Sequence, residues 1–306
     1  MILTCGEALI DMIPMEGTAG PGFVPRPGGA VFNTSIALGR LGAPVRFFTG
    51  LSTDMFGKML SHSLSESNVD TDLCHRSKRP TTLAFVALND GQAQYTFYDE
   101  GSAGRMLRSD NLPEELDCTA AFFGGISLAS EPCGSSFEVL FQQLRKAGKV
   151  LMLDPNIRPD FITNETAYRN RLERMIEDAD IVKMSDEDLA WFLGSGSVQD
   201  HCEALLERGP ALAICTEGAQ GATAHTRKQE VMLIPPKVTV ADTIGAGDTF
   251  NAGLLAGLWE GGHLSRDALE NLSQPALREA LDLAVRAAAH VVTQTGANPP
   301  TRAELV

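Results

Sequence analysis

The residues best suited to chemistry lie within residues 241–253, where two glycines precede a carboxylate. Gly245 and Gly247 let the backbone turn tightly, and the apolar pattern predicts a helix from near Asp248 to Leu258. The free N–H groups and the positive dipole end of such a helix bind anions such as phosphate. A carboxylate among these donors fits a general base that takes a proton from a hydroxyl while the N–H groups hold a phosphoryl group. Capping of the helix by Asp248 is the alternative use of the same residue.

Two further segments place polar residues where a ligand could bind. Gly28 and Gly29 allow close approach to the backbone, and Asn33 offers an amide that both donates and accepts hydrogen bonds. A tight turn followed by a helix cap is the alternative. The segment Asp154–Arg158 follows the apolar run Val150–Leu153, so we expect it at the carboxyl end of a strand, where open α/β sheets bind ligands. Its acid could instead end the strand, with its arginine a surface cation.

Several common catalytic motifs are missing from the sequence. Six residues separate Gly50 from Gly57-Lys58, which does not match a P-loop, and Gly247 is not followed by the third glycine of a dinucleotide fingerprint. The sequence contains no G-x-S-x-G motif, and its six histidines never fall at a paired metal-ligand spacing. These absences disfavour a P-loop enzyme, a nicotinamide oxidoreductase, an α/β-hydrolase and a protein-built zinc site.

The elements that must position these residues follow an alternating pattern. Short, evenly apolar runs suit strands buried on both faces, and helical patterns such as 31–41, 135–147 and 168–177 lie between them. This alternation predicts right-handed βαβ units and a parallel sheet covered on both sides. The runs are Ile2–Cys5, Val45–Thr49, Ala121–Phe123, Val150–Leu153, Ile181–Met184 and Leu212–Cys215.

One region departs from this alternation. Thr82–Asn89 and Ala93–Tyr98 resemble strands, and the Asp90-Gly91 pair between them predicts a type I′ hairpin turn. With the segment 11–27, this hairpin predicts a small sheet outside the main layers; an antiparallel edge on the main sheet is the alternative. A second hairpin is predicted from Ala222–Thr226 and Glu230–Ile234.

The composition of the chain limits the kinds of molecule that it could bind. The chain has 306 residues and a formal net charge of −14, which disfavours binding to nucleic-acid phosphates or to anionic membranes. No stretch approaches the roughly 20 apolar residues of a membrane span, and the first residues resemble a strand rather than a signal peptide. Six scattered cysteines are typical of reduced thiols. We therefore expect a cytoplasmic protein without nucleic-acid or membrane partners.

Three segments together resemble one enzyme family. The segment 241–253 resembles the C-terminal signature of the ribokinase-like (phosphofructokinase-B-type) sugar kinases, and Pro27–Gly42 resembles their N-terminal signature. Gly50–Gly57 resembles the G-x-x-x-D-x-F-G stretch that follows. The resemblance covers nearly the whole chain. It implies an α/β fold, with a three-layer α/β/α core, a mostly parallel sheet and a small β-sheet lid from about 11–27 and 80–100, all within one kinase domain over 1–306.

The resemblance also implies site residues for an ATP-dependent transfer of the γ-phosphate to a primary sugar hydroxyl. Asp248 corresponds to the general base, and the backbone of Gly245, Ala246 and Gly247 to the groups that stabilise the phosphoryl oxygens. Thr216–Gly221 resembles the turn beside ATP; a plain glycine turn before a hairpin is the alternative. The implied sugar-binding residues are Asp11, Gly28, Gly29, Asn33, Arg105 and Arg158, and the implied ATP-binding residues are Thr216, Gly218 and Gly221.

The resemblance further implies Mg²⁺ and leaves the binding of K⁺ open. Family members often carry N-x-x-E where metal and phosphate are organised through water, whereas this chain has Ser185 and Asp188 at those positions. Asp188 is thus implied as a water-mediated metal residue. Asp242 resembles a residue of the monovalent-cation loop.

The pattern Asp154–Arg158 with Ser102–Arg105 resembles the fructokinase branch, which makes fructose the first expected substrate. Kinases for 2-keto-3-deoxygluconate typically place Tyr-x-Arg near the end of the lid hairpin, where this chain has Asp99. That sugar, ribose and nucleosides remain alternatives, and a sugar sensor on the same scaffold is the non-enzyme alternative. An exposed face of a lid sheet favours pairing in a homodimer.

Overall fold

The computed structural model describes residues 1–17, 20–89, 92–114 and 116–305. Its strands are β1 (Ile2–Cys5), β2 (Leu9–Gly17), β3 (Gly20–Gly28), β4 (Val45–Phe48), β5 (Gly50–Ser52), β6 (Val69–Asp70), β7 (His75–Ser77), β8 (Thr82–Asn89), β9 (Gln92–Tyr98), β10 (Ala120–Gly124), β11 (Val150–Asp154), β12 (Ile181–Ser185), β13 (Leu212–Thr216), β14 (Ala222–His225) and β15 (Glu230–Leu233). Its α-helices are α1 (Ala30–Arg40), α2 (Met55–Glu66), α3 (Cys133–Lys146), α4 (Glu165–Asp178), α5 (Asp186–Leu193), α6 (Val198–Arg208), α7 (Ala246–Glu260), α8 (Arg266–Glu270) and α9 (Gln274–Val291).

The main sheet contains all six apolar runs that the sequence predicts as strands. Its strand order is β15-β14-β13-β12-β11-β10-β1-β4-β6. Within this sheet, neighbouring strands pair in parallel from β13 at one side to β6 at the other edge. Strands β14 and β15 extend the sheet beyond β13 as an antiparallel hairpin. The predicted mostly parallel sheet and the second hairpin are therefore confirmed.

Helices cover both faces of the main sheet, because successive strand residues point to opposite faces. Ile2 belongs to a core cluster shared with α1, α7 and α9, whereas Leu3 belongs to a second cluster shared with α3, α4 and α6. Met152 and Leu153 alternate between the two clusters in the same way. The result is the predicted three-layer α/β/α arrangement.

A separate four-stranded sheet lies outside these layers, with the order β3-β2-β8-β9. It contains the segments expected for a small sheet. The alternative, that these segments form an edge of the main sheet, is therefore excluded. The small sheet begins at Leu9, which pairs with Gly28, and it brings Asp11 opposite Arg26. The predicted Asp90-Gly91 turn lies outside the described residues.

Helix α7 begins at Ala246, two residues before the predicted start, because Gly245 adopts the left-handed conformation (φ 80°) that ends the preceding loop. Its middle approaches α9 closely: a Cβ at Gly253 would lie 2.6 Å from Ala284 Cα. A residue larger than glycine at this position would therefore push the two helices apart. Within the described residues, no helix combines the length and apolar character needed to cross a membrane.

Candidate active site

The carboxyl ends of the parallel strands bring the candidate residues to one edge of the main sheet. Asp154 ends β11, Ser185 ends β12 and Thr216 ends β13, and these three strands are neighbours. Glu7 follows β1, two strands from β11. Ligands bind at this edge in open α/β sheets, so the topology assembles the site that the sequence predicts.

Asp248 and Asn33 meet in the folded chain although 215 residues separate them. Asp248 is the third residue of α7, and Asn33 is the fourth residue of α1. The Asn33 Nδ2 donates a hydrogen bond to the Asp248 Oδ2 at 2.9 Å. The N-cap residue of α7 is Gly245, so Asp248 does not occupy the capping position. The carboxylate of Asp248 therefore faces α1 rather than capping its own helix.

Burial raises the pKa of Asp248 from 3.8 to about 7. The Asn33 hydrogen bond and the Lys183 charge lower this pKa, while the charges of Asp154 and Glu7 raise it. Donors near a helix start would by themselves favour the ionised form of Asp248, but desolvation outweighs them. A pKa near neutrality is the value that suits a general base working at neutral pH.

Asp11 and Gly28 form a second polar surface on the small sheet. A Cβ at Gly28 would lie 2.2 Å from Asp11 Oδ2, so only glycine leaves room for this carboxylate. Burial raises the pKa of Asp11 to about 6. Next to it, Gly29 takes φ 111° and leads into α1, whose first N–H, at Ala30, donates to Glu7 Oε1 at 2.8 Å. The glycine pair thus joins the small sheet to the helix that carries Asn33.

The two arginines implied for sugar binding differ in their surroundings. Arg105 is paired with the buried Asp99 (Nη1 to Oδ1, 2.9 Å) and donates from Nε to the Glu131 carbonyl at 3.2 Å. Arg158 is exposed, and its Nη1 donates to the carbonyl of Ile157 at 3.0 Å. The first cation is held by an ion pair, whereas the second lies on the surface.

The residues implied for metal binding accept hydrogen bonds from the backbone. Ser185 and Asp188 form a reciprocal capping box at the start of α5. The other oxygen of Asp188 accepts from the Ile157 N–H at 2.9 Å, and burial raises the pKa of this acid. Asp242 accepts from the N–H groups of Ile244 and Gly296, at 3.0 and 2.9 Å.

The Thr216–Gly221 turn closes tightly. The Glu217 N–H donates to the Gly221 carbonyl at 2.9 Å. Gly218 and Gly221 have positive φ angles of 53° and 108°, and a Cβ at Gly221 would lie 2.1 Å from the Leu233 carbonyl oxygen. Beyond the following hairpin, Ile234 exposes 70% of its surface. The Thr216–Gly221 turn and the Ile234 side chain are therefore both accessible from solvent.

Three site residues were missed by the sequence analysis. Lys183 and Asn251 both donate to Asp154 Oδ2, at 3.0 and 2.6 Å, beneath the first turns of α7. Glu7 accepts hydrogen bonds from α1 and from Ser127. A lysine inside the apolar run Ile181–Met184 was the available signal, because an unpaired lysine does not belong in a buried strand.

Comparisons with known proteins identify the family. The family model for "pfkB family carbohydrate kinase" matches residues 1–304. The chain belongs to the pfkB family of carbohydrate kinases. The expectation of an ATP-dependent carbohydrate kinase is thereby confirmed.

Individual relatives of this pfkB kinase have related names. A protein named fructokinase from Rhizobium leguminosarum bv. trifolii is 49% identical over 284 residues, 92% of this chain and 87% of the relative. The structure of a fructokinase with bound ATP from Xylella fastidiosa superposes with a TM-score of 0.91 at 28% identity, covering 99% of this chain and 96% of that one. A Vibrio cholerae O395 fructokinase double mutant bound to fructose, ADP and potassium ion gives 0.87 at 27% identity, with 99% and 96% covered.

Proposed function

We propose that this kinase transfers the γ-phosphate of ATP to a primary hydroxyl of fructose, with Asp248 as the general base. The observation that carries the proposal is the buried Asp248, aligned by Asn33 at the start of α7. The 49% identity to the Rhizobium fructokinase supports the choice of sugar.

In this mechanism the sugar hydroxyl oxygen attacks the γ-phosphorus in line with the leaving group. The new O–P bond forms as the bond to the bridging oxygen of ADP breaks, and the hydroxyl proton passes to Asp248. The backbone of Gly245–Gly247 at the start of α7 would stabilise the equatorial oxygens, because the positive end of the helix dipole lies there. The Ala246 N–H already donates to the Thr243 carbonyl at 3.3 Å, so the N–H groups of Gly245 and Gly247 would serve as the donors. Such chemistry depends mainly on positioning and electrostatics.

Hard oxygen donors at this edge fit a magnesium ion that is held mainly by phosphate and water. Both carboxylate oxygens of Asp188 already accept backbone hydrogen bonds, so this residue would act through water. Bound with ATP, Mg²⁺ would neutralise phosphate charge. The potassium ion bound in the Vibrio structure supports Asp242 as a cation-loop residue of this chain.

The nucleotide and the sugar would occupy neighbouring surfaces. Gly218, which has no side chain, would let ATP approach the turn after β13, and Gly221 lets that turn close against Leu233. Asp11 and Asn33 would accept and donate hydrogen bonds to sugar hydroxyls. The small sheet that carries Asp11 would act as a lid that excludes water during transfer.

The charges around the sugar surface favour a neutral sugar over an anionic one. Asp11 offers a carboxylate, and the Arg105 guanidinium is already paired with Asp99. A substrate carboxylate would meet acids and compete for the paired arginine, which lowers its affinity.

Steady-state assays with ATP and a panel of sugars test the proposal. We expect kcat/KM for fructose to exceed that for 2-keto-3-deoxygluconate by about tenfold or more, equivalent to about 1.4 kcal/mol. A higher kcat/KM for the sugar acid would overturn the choice of fructose. Fructose binding without any ATP turnover would instead favour the sugar sensor.

The outer face of the small sheet supports the expected homodimer. Side chains alternate along its strands, so Phe23, Phe85 and Tyr98 share the face opposite Asp11. Their rings pack edge to face, with centroids 4.9 and 5.4 Å apart, and Phe23 and Tyr98 remain 47% and 62% exposed. Burial of this aromatic row between two copies would remove it from water.

The use of ATP agrees with the expected cytoplasmic location.

A further inference from the structure

Lys183 is a buried lysine that the proposed mechanism does not yet use. It exposes 4% of its surface and lies in β12 directly beside Asp154 of β11, since Leu153 pairs with Val182 in the parallel register. The Lys183 Nζ lies 3.0 Å from Asp154 Oδ2. The pair points to the face of the sheet that α7 covers, because Met152 and Ile181, two positions earlier, pack in the core cluster of α7.

The first two turns of α7 sit on this ion pair. A Cβ at Gly247 would lie 3.4 Å from Lys183 Nζ, so the ammonium group reaches the turn that begins the helix. One turn later, Asn251 donates to the same oxygen of Asp154 at 2.6 Å. Asp154 therefore holds both the lysine and the helix that carries Asp248.

A cation at this place is electrostatically unusual. The N-terminus of a helix already carries partial positive charge, and a buried ammonium beside it is unfavourable unless anions lie close by. Apart from burial, the groups that most affect the pKa of Asp248 come from four elements: Asn33 from α1, Asp154 from β11, Lys183 from β12 and Glu7 after β1. Lys183 is the cation among them. Asp154, Asp188 and Asp248 in turn favour the charged form of Lys183 and raise its pKa.

We propose that Lys183 is a positioning residue whose buried charge, held by Asp154 against the first turn of α7, keeps Asp248 ready to accept a proton near neutral pH. This inference rests on the proposed function, in which Asp248 is the base. Without the lysine, the charged groups that remain among these neighbours, Asp154 and Glu7, are acids, so Asp248 would bind its proton more tightly and the enzyme would need a higher pH.

The test is the pH profile of kcat/KM for fructose at saturating ATP and magnesium. It is measured for one variant that removes the positive charge and one that removes the negative charge of the ion pair. Lys183→Gln keeps a donor for Asp154, and we expect its acidic limb to move up by about one pH unit or more. Asp154→Asn leaves the lysine charge without its partner, and its acidic limb should move down. The double variant removes one charge of each sign, so its limb should return toward that of the wild type.

Arg145→Met is the matched control, because Arg145 also forms an ion pair with a buried acid, Asp180, at 3.2 Å. Asp180 directly precedes the first residue of β12, so this pair lies at the end of the strand away from the proposed site. It should lower the melting temperature without moving the limb. Unshifted limbs in both single variants, or shifts of the same sign, would overturn the inference and show a structural ion pair. If Lys183→Gln does not fold, the double variant decides the question: its limb should lie above that of Asp154→Asn, because the two differ only in the lysine charge, and equal limbs would overturn the inference. An active Asp248→Asn variant would refute the proposed base itself, whatever the Lys183 variants show.

Discussion

At the scale of single residues, Asp248 combines two opposed demands. Its proposed proton-accepting role needs a pKa near neutrality, and burial supplies that value at the expense of stability. The unfolded chain releases this proton near pH 3.8, whereas the folded chain keeps it up to about pH 7. Asp248 therefore leaves the fold undisturbed below about pH 4 and destabilises it increasingly as the pH rises toward 7.

Asp248→Asn should accordingly stabilise the protein in a pH-dependent way. The gain in free energy of unfolding should be small at pH 4.5 and rise to at most about 4 kcal/mol above pH 7. Urea unfolding across this range measures it. Asp200 provides the control, since it is also the third residue of a helix but is exposed, and its hydrogen bonds to Ser197 lower its pKa. Asp200→Asn should be destabilised by a nearly constant amount across this range, because Asp200 is already ionised in the folded and the unfolded chain at its lower end. A gain for Asp248→Asn that does not change with pH would contradict the expected burial effect.

Gly28 shows how the absence of a side chain shapes the sugar surface. Gly28→Ala would place a methyl group 2.2 Å from the present position of Asp11 Oδ2 and displace that carboxylate. We expect KM for fructose to rise about 10- to 100-fold while KM for ATP stays unchanged. Gly22→Ala is the matched control in the same strand, because among the described residues no atom beyond its chain neighbours lies within 4 Å of the added Cβ. Equal effects of the two variants in fructose kinetics would remove Asp11 from the sugar site.

At the scale of elements, the small sheet has two different faces. Asp11 belongs to the face that also contacts the segment after β11, where Phe97 and Phe161 pack with ring centroids 4.9 Å apart. The opposite face carries the aromatic row of Phe23, Phe85 and Tyr98. One sheet can thus serve the substrate and a second copy of the chain at once.

Sedimentation velocity at micromolar concentration should show a dimer that depends on this row. Phe23→Glu with Tyr98→Glu should give a monomer, because dimer formation would bury two unpaired charges. Val139→Glu is the control, since Val139 is 41% exposed but lies on α3. A monomeric wild-type protein, or a dimer that survives the double change, would refute pairing through this face.

At the scale of the whole molecule, the alternation of apolar runs and helices was enough to predict the layered sheet. Evenly apolar strands such as Val150–Asp154 are buried on both faces, so their pattern depends little on distant residues. The resemblance of the glycine-rich segments led to Asp248 and Asn33, which the fold joins by a hydrogen bond.

The rest of the site depends on contacts between distant segments. The pKa of Asp248 could not be predicted from its neighbours in sequence, because burial by other elements dominates it. Lys183 was overlooked because its partner Asp154 is 29 residues away and only the strand register places them side by side. The pairing of Arg105 with Asp99 likewise became visible only in the fold.

The most direct test of the proposed mechanism is the kcat of Asp248→Asn for fructose phosphorylation at pH 7.5, with the folded state confirmed by thermal unfolding. Asparagine keeps the shape and can still accept the hydrogen bond from Asn33, but it cannot take the proton. We predict a kcat about 10²- to 10⁴-fold lower, with ATP affinity unchanged or improved because one negative charge near the γ-phosphate is gone. A folded Asp248→Asn protein with near wild-type kcat would contradict the assignment of Asp248 as the base.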